Sequence, residues 1–184
     1  MSFSPQPLLD FLEEEGLRPT VEAGLRKVAS EFNRDEVEFS AAGIAVLAGW
    51  TLRPSRALTR YGSIVPGTKT LRLTVLDCSP EARRDTILHE VAHILTGALI
   101  AKREKHGPRW RKVAQALGAQ PNYAGRDARF RRASAAQRSA REKVVARCKG
   151  CGFEVKRLRR SSREWGRFQH RACGARFEAV EPNR

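Results

Sequence analysis

Residues 87 to 95 read Ile-Leu-His-Glu-Val-Ala-His-Ile-Leu, and the interpretation of the chain starts from them. His89 and His93 are four residues apart, so on an α-helix their imidazoles lie on one face and can bind one metal ion. Glu90 stands beside them, where its carboxylate can act as general base on a water molecule that the ion activates. This spacing is typical of zinc-dependent peptidases.

The residues around this motif predict a buried helix. Ser79 and Pro80 are suited to its N-cap and first helical position, and its end is expected near Ala101. Two imidazoles in an apolar setting need polar partners, and a metal ion would satisfy both. A chance occurrence of the pattern on an amphipathic helix is the alternative. The apolar residues that surround the two histidines are Ile87, Leu88, Val91, Ala92, Ile94 and Leu95.

A catalytic zinc site needs a third protein ligand, and two known arrangements are excluded. The metzincin pattern would require Gly and His where this chain has Thr96 and Leu99. A thermolysin-like Glu would fall near Val113, where no carboxylate is present. The third ligand must therefore come from another position.

His106, in the sequence Lys-His-Gly-Pro-Arg-Trp, is the predicted third ligand. Pro108 predicts the start of a second helix that runs to about Leu117 and ends before Gly118, which would place His106 at the mouth of that helix. Glu104 is a competing ligand, because carboxylates also bind zinc. An exposed loop histidine is the alternative interpretation of His106.

These two motifs together resemble the SprT/Spartan family of zinc metallopeptidases, whose members include a DNA-dependent protease that cuts proteins crosslinked to DNA. His-Glu-Val-Ala-His-Ile-Leu is followed by His-Gly-Pro-Arg-Trp, and the match falls on His89, Glu90, His93 and His106. The resemblance covers roughly residues 40 to 180. It implies an α+β, zincin-like domain of the minigluzincin type (a small antiparallel sheet plus helices), peptidase activity and a link to DNA.

The distribution of charge indicates a second function. Residues 1 to 100 carry 11 Lys and Arg against 13 Asp and Glu, a net charge of −2, whereas residues 101 to 184 carry 24 against 7, a net charge of +17. A neutral part followed by a strongly basic part is typical of a catalytic domain with a nucleic-acid-binding tail. The alternative is that the basic residues only form a solvated protein surface. The chain has no apolar run long enough to span a membrane, and its N-terminus does not resemble a signal peptide.

Three of the four cysteines have metal-ligand spacing. Cys148-Lys-Gly-Cys151-Gly is followed by His170-Arg-Ala-Cys173-Gly, which predicts a structural Cys₃His zinc site in a ribbon. SprT ribbons usually end in a Cys-x-x-Cys pair, so His170 is a departure from the family pattern. Cys78 has no partner at ligand spacing and is predicted to be a small buried residue.

Basic and aromatic residues within this ribbon are the candidates for nucleic-acid binding. Aromatic rings among arginines hold single strands by base stacking, although the same rings could instead form the ribbon's core. The predicted contacts are Arg157, Arg159, Arg160, Arg163, Trp165 and Arg167, with Phe153 and Phe168 as neighbouring aromatics.

The remaining sequence predicts the domain organisation. Residues 7 to 15, and a second stretch capped by Thr20, predict N-terminal helices. Strands are expected at Ile44 to Leu52, Ala57 to Val65 and Leu71 to Leu76, and one of the last two would bind a substrate by β-augmentation. The predicted domains are N-terminal helices (1–35), a metallopeptidase domain (36–120), a basic linker (121–143) and a zinc ribbon (144–184).

The motifs predict a zinc-dependent endopeptidase, and the resemblance implies that it acts on DNA-bound or DNA-crosslinked proteins in DNA repair. We expect one catalytic and one structural Zn²⁺, a protein substrate, DNA as partner (single-stranded or bound without sequence specificity), no membrane, a monomer, and a cytoplasmic or nucleoid location. Tyr61 and Tyr123 are unranked candidates for oxyanion stabilisation. The alternatives are a nucleic-acid-binding adaptor without protease activity and a hydrolase of another substrate.

Overall fold

The computed structural model describes residues 4–101, 105–120, 127–159 and 163–180. Within them the chain is α+β, as predicted, with six α-helices and two small sheets. It divides into two compact units, Met1–Ala133 and Ser134–Arg184. None of the helices in these ranges has the length and apolarity needed to cross a membrane.

Helices make up most of the first unit. The second helix buries a stripe of apolar residues along one face, as its sequence predicts, but it begins at Arg18, so Thr20 is not its N-cap. The bounds are α1 (Leu8–Glu14), α2 (Arg18–Glu31), α3 (Glu36–Ala48), α4 (Pro80–Leu95), α5 (Pro108–Ala116) and α6 (Ala128–Arg141), the last of which crosses the division between the units.

A four-stranded sheet lies in the same unit. Its strands are β1 (Gln6–Pro7), β2 (Thr51–Ser55), β3 (Gly62–Val65) and β4 (Thr70–Thr74), in the order β1-β2-β4-β3. β3 is antiparallel to β4, but β2 and β4 are parallel, so the prediction of a wholly antiparallel sheet is wrong. After β2 the chain passes to the edge of the sheet, where it forms β3. It then turns back and forms β4 between β3 and β2, and β4 therefore runs parallel to β2.

The predicted strand from Ile44 to Leu52 is also wrong, because most of it belongs to α3. The Asp35 carboxylate accepts hydrogen bonds from the backbone N–H groups of Val37 and Glu38, both at 2.9 Å, and so caps the start of that helix. An apolar run by itself does not distinguish a buried helix from a strand. The spacing of Asp35 and Glu38 is the cap signal that identifies the helix.

The helix that carries the histidine motif begins as predicted. The Ser79 hydroxyl accepts a hydrogen bond from the Ala82 N–H at 3.1 Å, and Pro80 is the first helical residue. Regular α-helical geometry ends at Leu95, and a five-residue π-helical stretch, Thr96–Ile100, follows it. The segment that was predicted to be helical to about Ala101 therefore consists of an α-helix followed by a π-helical stretch.

One hydrophobic core joins the helices of the first unit to its sheet. Side chains from α1, α2, α3, α4, α5, β2 and β4 fill this core, and it fixes the position of α4 from behind. Its largest fully buried residues are Trp110, Phe11, Leu8, Leu12, Leu25, Leu47, Leu52, Leu71, Leu73, Ile87, Leu88 and Ile94.

The second unit contains a three-stranded antiparallel sheet. Its strands are β5 (Lys143–Cys148), β6 (Glu154–Arg157) and β7 (Phe177–Ala179), in the order β6-β5-β7. Four buried residues, Ala146, Cys148, Trp165 and Phe177, form its core. A core of this size stabilises a fold only weakly. The stability of this unit therefore depends more on its cysteines and its histidine, which can bind a metal ion.

Candidate metal centre

The three histidines that were predicted as metal ligands converge on one point. His89 and His93 lie one turn apart on α4, and His106 precedes α5. The Nε2 atom of His106 lies 3.0 Å from Nε2 of His93 and 3.2 Å from Nε2 of His89. Nitrogens bound tetrahedrally to zinc at about 2.0–2.1 Å lie about 3.4 Å apart, so this donor set fits one such ion.

The competing ligand, Glu104, lies outside the described residues. A group of three side chains with metal-binding atoms within 4.8 Å of one another is formed by His89, His93 and His106. The structure thus assembles the three predicted histidines. Thr96 and Val113, at positions where other zinc peptidases place a Gly or a Glu, are both fully buried.

The indole of Trp110 packs against all three imidazoles. Its ring centroid lies 4.7 Å from that of His89, 5.0 Å from His93 and 4.5 Å from His106. Only 1% of Trp110 is exposed, so it fills the space behind the histidines and restricts their orientations. Trp110 follows His106 by four residues in the sequence, but this spacing alone does not predict the contact.

Both histidines of α4 are held in the neutral form that binds metal. Burial, together with the charge of neighbouring histidines, lowers the pKa of His89 and of His93 to about 4. Neutral imidazoles present a lone pair to a cation without first losing a proton. The protein environment therefore favours the ligand form at neutral pH.

Glu90 is buried beside the histidines, with 8% of its surface exposed. Burial raises the pKa of its carboxyl to about 7, and the positive charge of Arg60 opposes that effect. A pKa in this range suits a group that accepts and returns a proton. Glu90 also packs against β3, where a Cβ atom added at Gly62 would lie 2.9 Å from its Cγ atom.

A cleft of about 1590 Å³ runs past these residues, which is larger than a typical small-molecule pocket and has room for a polypeptide segment. One wall is β3, the outer strand of its sheet, whereas β4 lies in the interior. Of the two strands that the sequence offered for substrate binding, β3 is the one at the cleft. The opposite wall contains apolar residues near the end of α3, among them Ala45 and Val46.

Tyr61, one of the two tyrosines considered for oxyanion stabilisation, is not among the described residues that line the cleft. The Tyr61 ring stacks on Phe130 with centroids 3.9 Å apart, in a small hydrophobic cluster that also contains Leu76 and Cys78. Cys78 is buried, as predicted. Tyr123 lies outside the described residues.

The second predicted donor set also converges. Cys148 Sγ lies 3.4 Å from Cys173 Sγ, and His170 Nδ1 lies 3.1 Å from Cys151 Sγ and 3.3 Å from Cys173 Sγ. Hydrogen bonds from the backbone of Cys151 and Gly150 lower the pKa of Cys148 to about 6, which favours the thiolate. The four residues fit a zinc ribbon.

The described arginines among those predicted to bind nucleic acid are exposed, but one aromatic residue is not. Only 7% of Trp165 is exposed, so its ring belongs to the ribbon core and cannot stack on a base in this structure. Phe153 and Phe168 are 53% and 43% exposed. The exposed arginines are Arg157, Arg159, Arg163 and Arg167, and Arg160 lies outside the described residues.

Comparison with known proteins agrees with the histidine site. Residues 25–132 match the model of the SprT-like family, a match that includes all three histidines and Glu90. Comparisons with curated proteins and with solved structures gave no match. The match confirms the resemblance drawn from the two motifs and indicates a metallopeptidase-type domain. Because it covers more than half of the chain, this protein belongs to the SprT-like family.

Proposed function

We propose that the chain is a zinc-dependent endopeptidase, with His89, His93 and His106 as ligands of the catalytic ion and Glu90 as general base. The observation that carries this proposal is the convergence of three Nε2 atoms next to a buried carboxylate. The exposed edge of β3 beside them supplies a surface on which a peptide backbone can pair.

Each residue has a defined task in this reaction. A zinc ion at the three nitrogens would polarise the substrate carbonyl and lower the pKa of a water molecule. Glu90 takes the proton of the attacking water and then transfers it to the leaving amine. β3 holds the substrate backbone extended, and Gly62 permits the close approach of Glu90 to that strand. Trp110 keeps the imidazoles in place.

The ribbon is proposed to hold a second, structural zinc ion. Cys148, Cys151, His170 and Cys173 fill all four positions of a tetrahedral site, so no position remains for a water molecule or a substrate. Such an ion would contribute folding free energy to a unit with a small core.

The ribbon is also proposed to bind DNA, without sequence specificity and with a preference for single strands. Its exposed arginines can contact phosphates, while Phe153 and Phe168 can stack on bases. Binding to DNA would raise the local concentration of the protease near proteins that are bound or crosslinked to DNA. We further propose that the protein acts in DNA repair, as a monomer in the cytoplasm or nucleoid.

A nucleic-acid-binding adaptor with a purely structural histidine site is the second candidate. The strongly basic second half of the chain favours it. The position of Glu90 argues against it, because a structural site gains nothing from a buried carboxylate next to its ligands, and burying a carboxylate is costly.

The test is proteolysis of a DNA-binding protein that has both acidic and basic segments, by protein of known zinc content. Wild type and Glu90→Gln are compared with and without single-stranded DNA. We expect that wild type cleaves the substrate, that Glu90→Gln does not, and that DNA increases the rate of cleavage by wild type. Cleavage without stimulation would remove the role of DNA in activity. Absence of cleavage by protein that holds two zinc ions and binds DNA would favour the adaptor.

A further inference from the structure

The cleft beside the histidines has a marked positive charge. Among its lining residues within the described ranges, Arg60, Lys69 and Lys105 are basic, whereas Glu90 is the one acidic residue. All three basic side chains are exposed, and Glu90 is buried. A substrate in the cleft therefore meets the basic groups at its surface.

The sheet places two of these basic residues at opposite ends of β3. Arg60 lies two residues before Gly62, the first residue of the strand, and its charge reaches Glu90. Lys69 follows the 3₁₀ turn that ends the strand. A peptide that pairs with β3 would therefore run between two cationic groups.

Hydrogen bonds hold the backbone of Lys69, so the fold fixes the point from which its side chain extends at the cleft. Its N–H donates to the Pro66 carbonyl at 3.1 Å, and its own carbonyl accepts from the Thr51 N–H at 2.9 Å. Its ammonium lies near the end of α3, since a Cβ atom added at Gly49 would be 3.6 Å from Nζ. Lys69 thus stands between β3 and the helical wall of the cleft.

We propose that this cleft selects polypeptide segments with acidic side chains on either side of the scissile bond, and that Lys69 and Arg60 are the residues that determine this specificity. The proposal rests on the proposed peptidase function and adds the charge of its substrates. Acidic side chains of the substrate would form ion pairs with Arg60 and Lys69 at the ends of β3, and these two residues would repel basic side chains of the substrate. Cleavage of a DNA-bound protein would then occur in its acidic segments.

A nucleic-acid strand is the other anion that such a cleft could hold, but a peptide fits it better. The outer edge of β3 offers backbone N–H and C=O groups in the pattern that an extended peptide pairs with. Apart from the three predicted metal ligands, the one aromatic residue among the described lining is Trp50, which is 8% exposed and offers no open face for a base.

The test uses fluorogenic peptides that share one cleavable core and carry Asp, Asn or Lys at both flanks. They are given to the zinc-loaded full chain, to Lys69→Glu and to Lys27→Glu. Lys27 is exposed on α2 and does not line the cleft, so its substitution makes the same change in net charge elsewhere. For wild type and Lys27→Glu we expect a kcat/KM about tenfold higher for the Asp peptide than for the Lys peptide, since two exposed pairs contribute about threefold each. Lys69→Glu should lose most of this ratio, and 1 M salt should reduce it in every protein.

Equal kcat/KM for the three peptides in wild type would overturn the proposal while the peptidase function stands. If no peptide is cleaved, the peptidase function fails, and the charge preference is then measured as binding of the same peptides to Glu90→Gln by fluorescence anisotropy. If Glu90→Gln binds the Asp, Asn and Lys peptides equally well, the proposal is overturned by this measurement as well. Weaker single-strand DNA binding by Lys69→Glu, with peptide preference unchanged, would assign the charge to nucleic acid instead.

Discussion

Gly62 and Glu90 approach so closely that no side chain fits between them. A Cβ atom at Gly62 would lie 2.9 Å from Cγ of Glu90 and 3.1 Å from its Oε1, and 2.8 Å from Cγ2 of Thr86. Thr86 is itself held by a 2.7 Å hydrogen bond from its hydroxyl to the Ala82 carbonyl. β3 and the Glu90 side chain thus pack closely against each other at this one position.

Gly62→Ala is therefore expected to displace the Glu90 carboxylate and to lower kcat. A shift of a general base by part of an ångström costs on the order of 10- to 100-fold in rate. Zinc content should be unchanged, because the atoms nearest to the added methyl group belong to Thr86 and Glu90 and not to the histidines. The measurement is steady-state peptide cleavage together with metal analysis.

Gly67→Ala is the matched control for this substitution. Gly67 lies in the turn after β3, and no atom lies within 4 Å of the position that its Cβ would take. This variant should cleave peptides at the wild-type rate. A kcat for Gly62→Ala equal to that of Gly67→Ala would show that Glu90 does not depend on the space at Gly62.

The two donor sets should lose their ions independently. His106→Ala removes one of three nitrogens from the first site, and we expect zinc content to fall from about two ions per chain to about one, with loss of cleavage. DNA binding should persist, because the ribbon residues are untouched. Metal analysis by mass spectrometry and a DNA-binding assay measure both effects.

Substitutions at His170 test whether this residue binds the metal ion of the ribbon or only lies next to the ion's ligands. His170→Cys restores the usual Cys-x-x-Cys pair and should retain the ribbon ion, whereas His170→Ala should lose it and unfold the ribbon. Retention of two zinc ions by His170→Ala would remove this residue from the donor set. The first site, measured by peptide cleavage, should be unaffected by either change.

Much of the site was predictable because it depends on short sequence separations. His89 and His93 share a helix face by periodicity alone, and Pro108 fixes the start of the next helix beside His106. The spacing of the two Cys-containing motifs likewise predicts the ribbon donor set. These features require no knowledge of how the sheet is assembled.

The features that escaped prediction depend on contacts between distant segments. The apolar run that includes Ile44 is by itself compatible with helix and strand, and its packing on α2 and α4 stabilises the helix that the Asp35 cap begins. The parallel pairing of β2 with β4 depends on which strand occupies the edge, which no local pattern specifies. The burial of Trp165 follows from the ribbon core and not from its arginine-rich neighbourhood.

The exposed aromatic residues of the ribbon, and not Trp165, should contribute directly to DNA affinity. Phe168→Ala is expected to weaken single-strand binding by about 1–3 kcal/mol, because the ring is exposed and Arg163 lies 5.7 Å from its centroid. Its circular dichroism spectrum and zinc content should match those of wild type. Fluorescence anisotropy with a labelled oligonucleotide measures the affinity.

Trp165→Ala is the comparison that separates binding from folding. Its side chain is 7% exposed in the ribbon core, so its removal should destabilise the ribbon and reduce ribbon zinc as well as DNA affinity. If Trp165→Ala kept its zinc and its fold but lost DNA binding, the tryptophan would be the direct contact. Unchanged affinity in Phe168→Ala would likewise exclude that ring as a stacking platform.

Asp127 joins the start of α6 to the start of α4, and its charge should stabilise the first unit. Its carboxylate accepts hydrogen bonds from the Ser79 N–H at 2.6 Å and from the Arg129 N–H at 2.8 Å. Burial would raise the pKa of Asp127, but the hydrogen bonds from the backbone of Ser79, Arg129 and Phe130 outweigh burial and lower it below 3.8. Asp127→Asn should therefore reduce the free energy of unfolding at pH 7 by about 1 kcal/mol.

This stabilisation should disappear in acid, and its sign follows from the lowered pKa. The folded state binds the proton more weakly than the unfolded state, so the contribution is fully present above pH 3.8 and is lost as the pH falls through the lower folded-state pKa. Acid also protonates the metal-binding histidines, so the quantity to measure is the difference between wild type and Asp127→Asn in urea unfolding, followed by tryptophan fluorescence. Asp10→Asn, at an exposed carboxylate on α1, controls for the loss of one negative charge. A difference for Asp127→Asn that stays constant down to pH 2 would mean that the Asp127 side chain stabilises the fold without its charge.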